Sequence, residues 1–200
     1  MNSPQLSLSR RLRKSPFETR SHVGATRASV YNHVVLPTVY ESLEADYWHL
    51  REHVQIWDVA CQVQVEVRGP DALKFVEFLT PRDVSKCVPG QCIYAPLLDE
   101  HAGVVNDPII LCLSADRYWL SISDSDVLLW AKGLAVGGGF DVEVHDPDVF
   151  PLSLQGPQSE TLLSRLIAEP VEDIRFFRFI HSRIADIDLV VARTGWSGQG

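Results

Sequence analysis

What the 200-residue chain lacks narrows its class first. No apolar run approaches the ~18 residues of a membrane-spanning helix, so no such span is expected. Paired Cys-X-X-Cys clips are absent. Cys61, Cys87, Cys92 and Cys112 stand 26, 5 and 20 positions apart, which is not zinc-clip spacing, and no metal is expected. Three of them have apolar neighbours, where a free thiol behaves as a small hydrophobe. They are read as reduced core thiols of a cytoplasmic protein. A basic excess is also missing: 18 Lys and Arg face 26 Asp and Glu, for a formal charge of -8. Nucleic-acid binding needs cations to neutralise phosphates, so it is not expected either. The basic cluster Ser9 to Lys14 is read as a solvated arm rather than a contact for nucleic acid or an acidic membrane. The first seventeen residues carry no acid and are rich in Ser and Arg, as transit peptides are, but they show no amphipathic stretch.

What is present is ordinary globular material, 46% hydrophobic and 22% charged, enough to build a core. The length fits one large domain or two small ones. Val39, Leu43, Tyr47, Leu50 and Val54 recur every three or four residues, which predicts a helix over 38–57, with Thr38 and Glu41 as a capping box. The period then becomes two. Val63, Val65 and Val67 alternate with Gln62, Gln64 and Glu66, the pattern of a half-buried strand. A helix is expected over 70–86, starting at Pro70, with Ala72, Phe75, Val76 and Leu79 on its apolar face. Strands follow over 91–123, with turns at Asp99–Gly103 and Ser114–Asp116. A helix with Ser or Asp at its front and Gly at its back covers 124–139, and a strand covers 140–146. This order predicts an α+β layer, an antiparallel sheet with helices on one side. Beyond Pro147 the sequence predicts a short strand at Leu152 and Leu154, a Gly156-Pro157 turn, a helix from Ser159, and two strands turning near Asp186. The sequence stops in a Gly-rich turn, which suggests part of something longer.

One stretch raises a chemical question. In "HAGVVNDPII", His101 to Ile110, Asp107 sits between two runs that read as buried strand. A buried charge is costly unless paired or bound. Asp107 is either a solvated loop residue, since Asn, Asp and Pro favour turns, or a carboxylate that faces a ligand. Pro108 biases Asp107 towards extended geometry, which suits the second reading.

Six segments bear on the choice. They are Ile56 to Ala60 (IWDVA), Val65 to Leu73 (VEVRGPDAL), Phe78 to Lys86 (FLTPRDVSK), Gly90 to Leu111, Leu152 to Ser159 (LSLQGPQS) and Ala192 to Gly200 (ARTGWSGQG). Taken in order, they resemble the aminomethyltransferase family, the T-proteins of the glycine cleavage system and their relatives. Within it the chain is most similar to the dimethylsulfoniopropionate demethylase branch. T-proteins proper usually carry two acids where this chain has Asn106-Asp107, and Ser-His where it has Ala60-Cys61. Their RTGYTGEDGFE motif stands here as RTGWSGQG.

The resemblance implies an α+β aminomethyltransferase fold with a ferredoxin-like central unit over 51–146. It implies a flanking folate-binding part formed by 1–50 and 147–200. A third part, a C-terminal β-barrel, and the acid after the RTG motif have no counterpart in the 200 residues. The implied cofactor is tetrahydrofolate, as acceptor of a methyl group from a small sulfonium substrate. A sulfonium is already an activated donor, because its departure leaves a neutral thioether. Orientation alone can then supply ~7–11 kcal/mol. By the resemblance Asp107 lies near the reacting folate nitrogen, where it orients folate or favours developing positive charge. Tyr94 and Trp196 are the aromatic candidates for folate and for the cationic donor. Asp107, Tyr94 and Trp196 are expected to line one cavity. A glycine-cleavage aminomethyltransferase and a non-catalytic folate-binding protein remain as alternatives, and oligomeric state is open.

Overall fold

In the computed structural model, residues 9–195 and 197–199 are described. In chain order the elements are α1 (Glu18–Ser21), β1 (Arg27–Tyr31), β2 (Val34–Val39), α2 (Leu43–Glu52), β3 (Gln55–Asp58), β4 (Gln64–Arg68) and α3 (Ala72–Leu79). Then come β5 (Cys92–Tyr94), β6 (Leu97–Leu98), β7 (Val104–Asn106), β8 (Ile109–Ser114), β9 (Arg117–Ser121), α4 (Val127–Gly138) and β10 (Glu143–His145). The chain continues with β11 (Leu152–Gln155), α5 (Ser159–Leu163), a 3-10 turn (Val171–Asp173), β12 (Arg178–Ile184) and β13 (Ile187–Arg193).

A five-stranded antiparallel sheet in the order β10-β4-β9-β8-β5 organises the middle of the chain. Alternation decides which side chains meet which layer. Val65 and Val67 of β4, Ile110 and Cys112 of β8, Tyr118 and Leu120 of β9 and Val144 of β10 point to one face. There they pack on Ala72, Phe75, Val76 and Leu79 of α3 and on Val127, Ala131 and Ala135 of α4. Helix α3 ends before Pro81, where Thr80 is extended as a residue preceding proline prefers. This shortens the helix expected over 70–86. Helix α4 closes on Gly139 in the left-handed region (φ 67), whose N–H reaches the Ala135 and Val136 carbonyls, as a glycine cap should.

The half-buried reading of β4 is corrected: both of its faces are covered. Gln64, Val65, Glu66 and Val67 are all buried, and Glu66 is 0% exposed. Glu66 lies in the middle of the sheet, across from His145 on β10 and Trp119 on β9. Its Oε2 accepts hydrogen bonds from Arg117 Nε (2.9 Å) and Nη2 (2.7 Å) and from Trp119 Nε1 (2.6 Å). Burial alone would raise the Glu66 pKa. The Arg117 and Trp119 hydrogen bonds, with the Arg117 and His145 charges, more than offset it and hold the carboxyl below its usual 4.5. Further along the same face, Cys92, Leu111 and Trp119 pack under Phe179 of the β12–β13 hairpin.

The flanking segments form small pieces. β1 pairs with β2, β3 with β11 and β12 with β13, each as a two-stranded antiparallel sheet. The helix expected over 38–57 is shorter, and its capping box does not form. Thr38 belongs to β2, and Ser42 caps α2 by accepting from the Ala45 N–H at 3.1 Å. The Asp46 carboxylate accepts from the Tyr40 (2.9 Å) and Glu41 (3.3 Å) N–H groups, so the loop ahead of Ser42 stays non-helical. All four cysteines are buried and free, and burial pushes the Cys61 and Cys87 thiols up to about 11 and Cys92 to about 12. Among the described residues no helix is long and apolar enough to cross a membrane.

Candidate functional site

Asp107 sits in the two-residue link between β7 and β8, with Asn106 and Pro108 buried on either side of it. Its own side chain is half-buried. Oδ1 accepts a hydrogen bond from the Ser123 hydroxyl at 2.9 Å. Oδ2 lies 3.5 Å from the Tyr94 hydroxyl, a loose approach at the limit of a hydrogen bond. Tyr94 ends β5 and is paired across the ladder with Ile109 of β8, which places it beside Asp107; it is 47% exposed. The structure therefore brings Asp107 and Tyr94 together. Trp196, the third residue singled out from the sequence, lies outside the described residues.

The loop that holds Asp107 is the one between β9 and α4. The sequence suggests Ser and Asp there as helix caps, yet Asp126, at the cap position, makes no side-chain cap. The hydroxyls are engaged elsewhere. Ser123 serves Asp107, and Ser125 Oγ accepts from Asn106 Nδ2 at 3.2 Å and lies 3.3 Å from the Val105 carbonyl. Asn106 uses both ends of its amide. Nδ2 also donates to the Asp124 carbonyl, while Oδ1 accepts from the Ser123 N–H at 3.2 Å. Ser125 has φ 71, a strained value for a non-glycine residue and one held here by these bonds.

A second wall comes from a hairpin that the sequence pattern does not reveal. The β1–β2 turn has positive φ at both Asn32 (45) and His33 (65), as a type I′ turn requires, but without the usual glycine. Asn32 Nδ2 donates to the Cys61 carbonyl at 2.7 Å, and His33 Nε2 stands 3.8 Å from Asp126 Oδ1. The first contact ties the hairpin tip to the β3–β4 link, and the second brings it against the β9–α4 loop. Tyr31 at that tip has its phenol pKa raised, first by burial and then by the neighbouring acidic groups of Asp124, Cys61 and Asp107, of which the two carboxylates carry the charge near neutral pH. The site thus combines two partly exposed tyrosines with an anchored carboxylate in an acidic setting. Such a setting suits a group that carries or develops positive charge.

A groove of about 630 Å³ lies elsewhere, between the end of β2, α2 and β3, lined by Tyr40, Leu43, Tyr47 and Trp57 among others. Its lining includes neither Asp107 nor Tyr94.

Three comparisons bear on this arrangement. Residues 12–200 match the family model described as the GCVT N-terminal domain. The chain is 48% identical over 193 residues to dimethylsulfoniopropionate demethylase DmdA of Ruegeria pomeroyi, covering 96% of this chain and 53% of that protein. An aminomethyltransferase of Halalkalibacterium halodurans is 33% identical over 168 residues, covering 82% of this chain and 46% of the other. Among solved structures, glycine cleavage system aminomethyltransferase T of Bartonella henselae superposes with a TM-score of 0.77 at 23% identity, over 86% of this chain and 48% of that one. The chain spans about half the length of the curated relatives it matches. The fold expected from the sequence is the one observed, and the chain belongs to the GCVT N-terminal domain family of aminomethyltransferases and their relatives.

Proposed function

We propose that the chain carries the Asp107 site of a tetrahydrofolate-dependent methyltransferase that demethylates dimethylsulfoniopropionate to methylmercaptopropionate, forming 5-methyltetrahydrofolate. The observation that carries this reading is the Asp107 carboxylate. One oxygen is tied to Ser123, and the other stands beside the partly exposed Tyr94 hydroxyl. The residues fit the folate. A fixed carboxylate favours positive charge developing at an amine as it takes a methyl group, and a tyrosine ring gives a flat contact. When bound, tetrahydrofolate supplies the accepting nitrogen. The chain's own task is to orient that nitrogen, the methyl carbon and the sulfur in line and to place negative charge nearby. The small-molecule donor leaves as a neutral thioether, so the carboxylate need not act as a base towards it. We read 51–146 as the central unit, with 1–50 and 147–200 as the folate-binding part, and we place the protein in the cytoplasm.

Support comes from the 48% identity to a demethylase and from Asn106-Asp107, a pair that departs from the two acids usual in T-proteins. Aminomethyl transfer is the second reading, favoured by the 33% identical aminomethyltransferase. The test incubates purified protein with dimethylsulfoniopropionate and tetrahydrofolate and follows both products by mass spectrometry. Formation of methylmercaptopropionate with 5-methyltetrahydrofolate is expected. Turnover of an aminomethyl-lipoyl carrier, with none of the sulfonium, would move the assignment to the glycine-cleavage reaction.

A further inference from the structure

We propose that Ser123, itself clamped by Asn106, is a positioning residue that decides which oxygen of Asp107 faces the ligand; this rests on the folate reading above. The Ser123 hydroxyl has a single proton. It lies 2.9 Å from Asp107 Oδ1 and 3.5 Å from Asn106 Oδ1, so its proton goes to the carboxylate. That bond fixes the rotation of the carboxylate. Oδ1 is turned towards the β9–α4 loop, and Oδ2 is left beside Tyr94. Ser123 is in turn held by its own backbone, because its N–H donates to Asn106 Oδ1 at 3.2 Å. The other end of the Asn106 amide ties down Asp124 and Ser125 on the same loop.

An amide is required at position 106 for this. Nδ2 donates to the Asp124 carbonyl, and a carboxylate has no proton to offer there. An acid would also set a second negative charge beside Asp107, near Asp124 and Tyr31. The chain Asn106–Ser123–Asp107 is therefore a relay that couples the loop conformation to the free oxygen. Without the Ser123 bond, Asp107 is free to swing between rotamers, and each ligand encounter has to re-order it.

The test uses isothermal titration of the full-length protein with tetrahydrofolate, with thermal unfolding measured alongside. Ser123→Ala should weaken binding roughly tenfold, the scale of one hydrogen bond to a charged group, without lowering Tm. Ser123→Thr keeps the hydroxyl and should restore binding to within about twofold. Against an Asp107→Asn background Ser123→Ala should add nothing, because its effect passes through that carboxylate. Asn106→Asp should weaken binding as Ser123→Ala does. If Asp107→Asn weakens binding but Ser123→Ala does not, or if the two effects add independently, the relay is wrong and the folate reading stands. If Ser123→Ala lowers Tm together with affinity and Thr fails to rescue it, the residue is structural and the proposal is overturned. Absent binding, or binding indifferent to Asp107→Asn, overturns the folate reading and the relay with it.

Discussion

The middle of the chain and its flanks are built on different terms. Between Gln64 and His145, five strands and two helices bury a continuous core in which Val65, Val67, Phe75, Val76, Ile110 and Leu120 are fully enclosed. In the flanks, the three two-stranded sheets pair further only through single bridges, Arg178 to Gln91 beside β5 and Val34 to Arg13, and α2 buries none of its ten residues. Leu43, Tyr47 and Trp48 of that helix are all half-exposed or more. An isolated two-stranded ribbon or a ten-residue helix is marginal in water. Folding free energy is therefore concentrated in the middle. Asp107 and Tyr94 lie at the rim of the sheet, on strand ends and links, where a rigid scaffold holds them without enclosing them.

The contrast is sharpest at Phe75. It is 0% exposed and rests on the Phe140 ring 5.0 Å away, so Phe75→Ala should cost ~3–5 kcal/mol in denaturant unfolding. A cost under 1 kcal/mol would mean that the central core is not where stability resides.

Glu66 gives the next effect. Glu66→Gln keeps the shape and removes the charge that Arg117 and Trp119 are arranged to meet. Arg117 is half-exposed and regains solvent, so the loss at pH 7 should be about 2–3 kcal/mol, below the usual penalty for breaking a fully buried pair. The sign in pH follows from a folded pKa held below 4.5. The carboxylate's contribution is fully present above that value and fades as pH falls through the lower folded value. Unfolding free energies of the two proteins should converge in acid below pH 4.5. A gap that persists unchanged there would assign the loss to packing rather than charge.

At the small end stands Leu43→Ala on α2. Leu43 is 69% exposed, and its truncation should change stability by no more than about 0.5 kcal/mol. A loss approaching that of Phe75→Ala would show that the α2 face is covered in solution.

The same contrast sets how far the sequence could be read. The period-two run at Val63 to Val67 and the apolar face at Ala72 to Leu79 repeat often enough to announce a strand and a helix, and both formed. The covering of the second strand face was not readable, because Glu66 is buried by partners 51 and 53 positions away. The β1–β2 hairpin was missed since its turn is Asn32-His33 without glycine and Pro37 interrupts the second strand. Thr38 and Glu41 match a capping motif, but Val39 is committed to β2 and Asp46 holds the following loop. In the site, Asp107 was legible as an acid in an apolar setting, and Tyr94 as an aromatic face for the cationic donor that the resemblance implies. Ser123 was not, because a serine ahead of a helix reads as a cap. Only its 2.9 Å bond to a residue 16 positions away shows its other use.

The most direct test of the account is Asp107→Asn assayed with dimethylsulfoniopropionate and tetrahydrofolate, with unfolding measured on the same samples. The substitution preserves shape and removes only the charge. The account predicts turnover lowered by ~10²–10³-fold, the scale of one electrostatic group at a reacting centre, with stability unchanged. Full turnover in a folded Asp107→Asn protein would contradict it and return Asp107 to the role of a solvated loop residue.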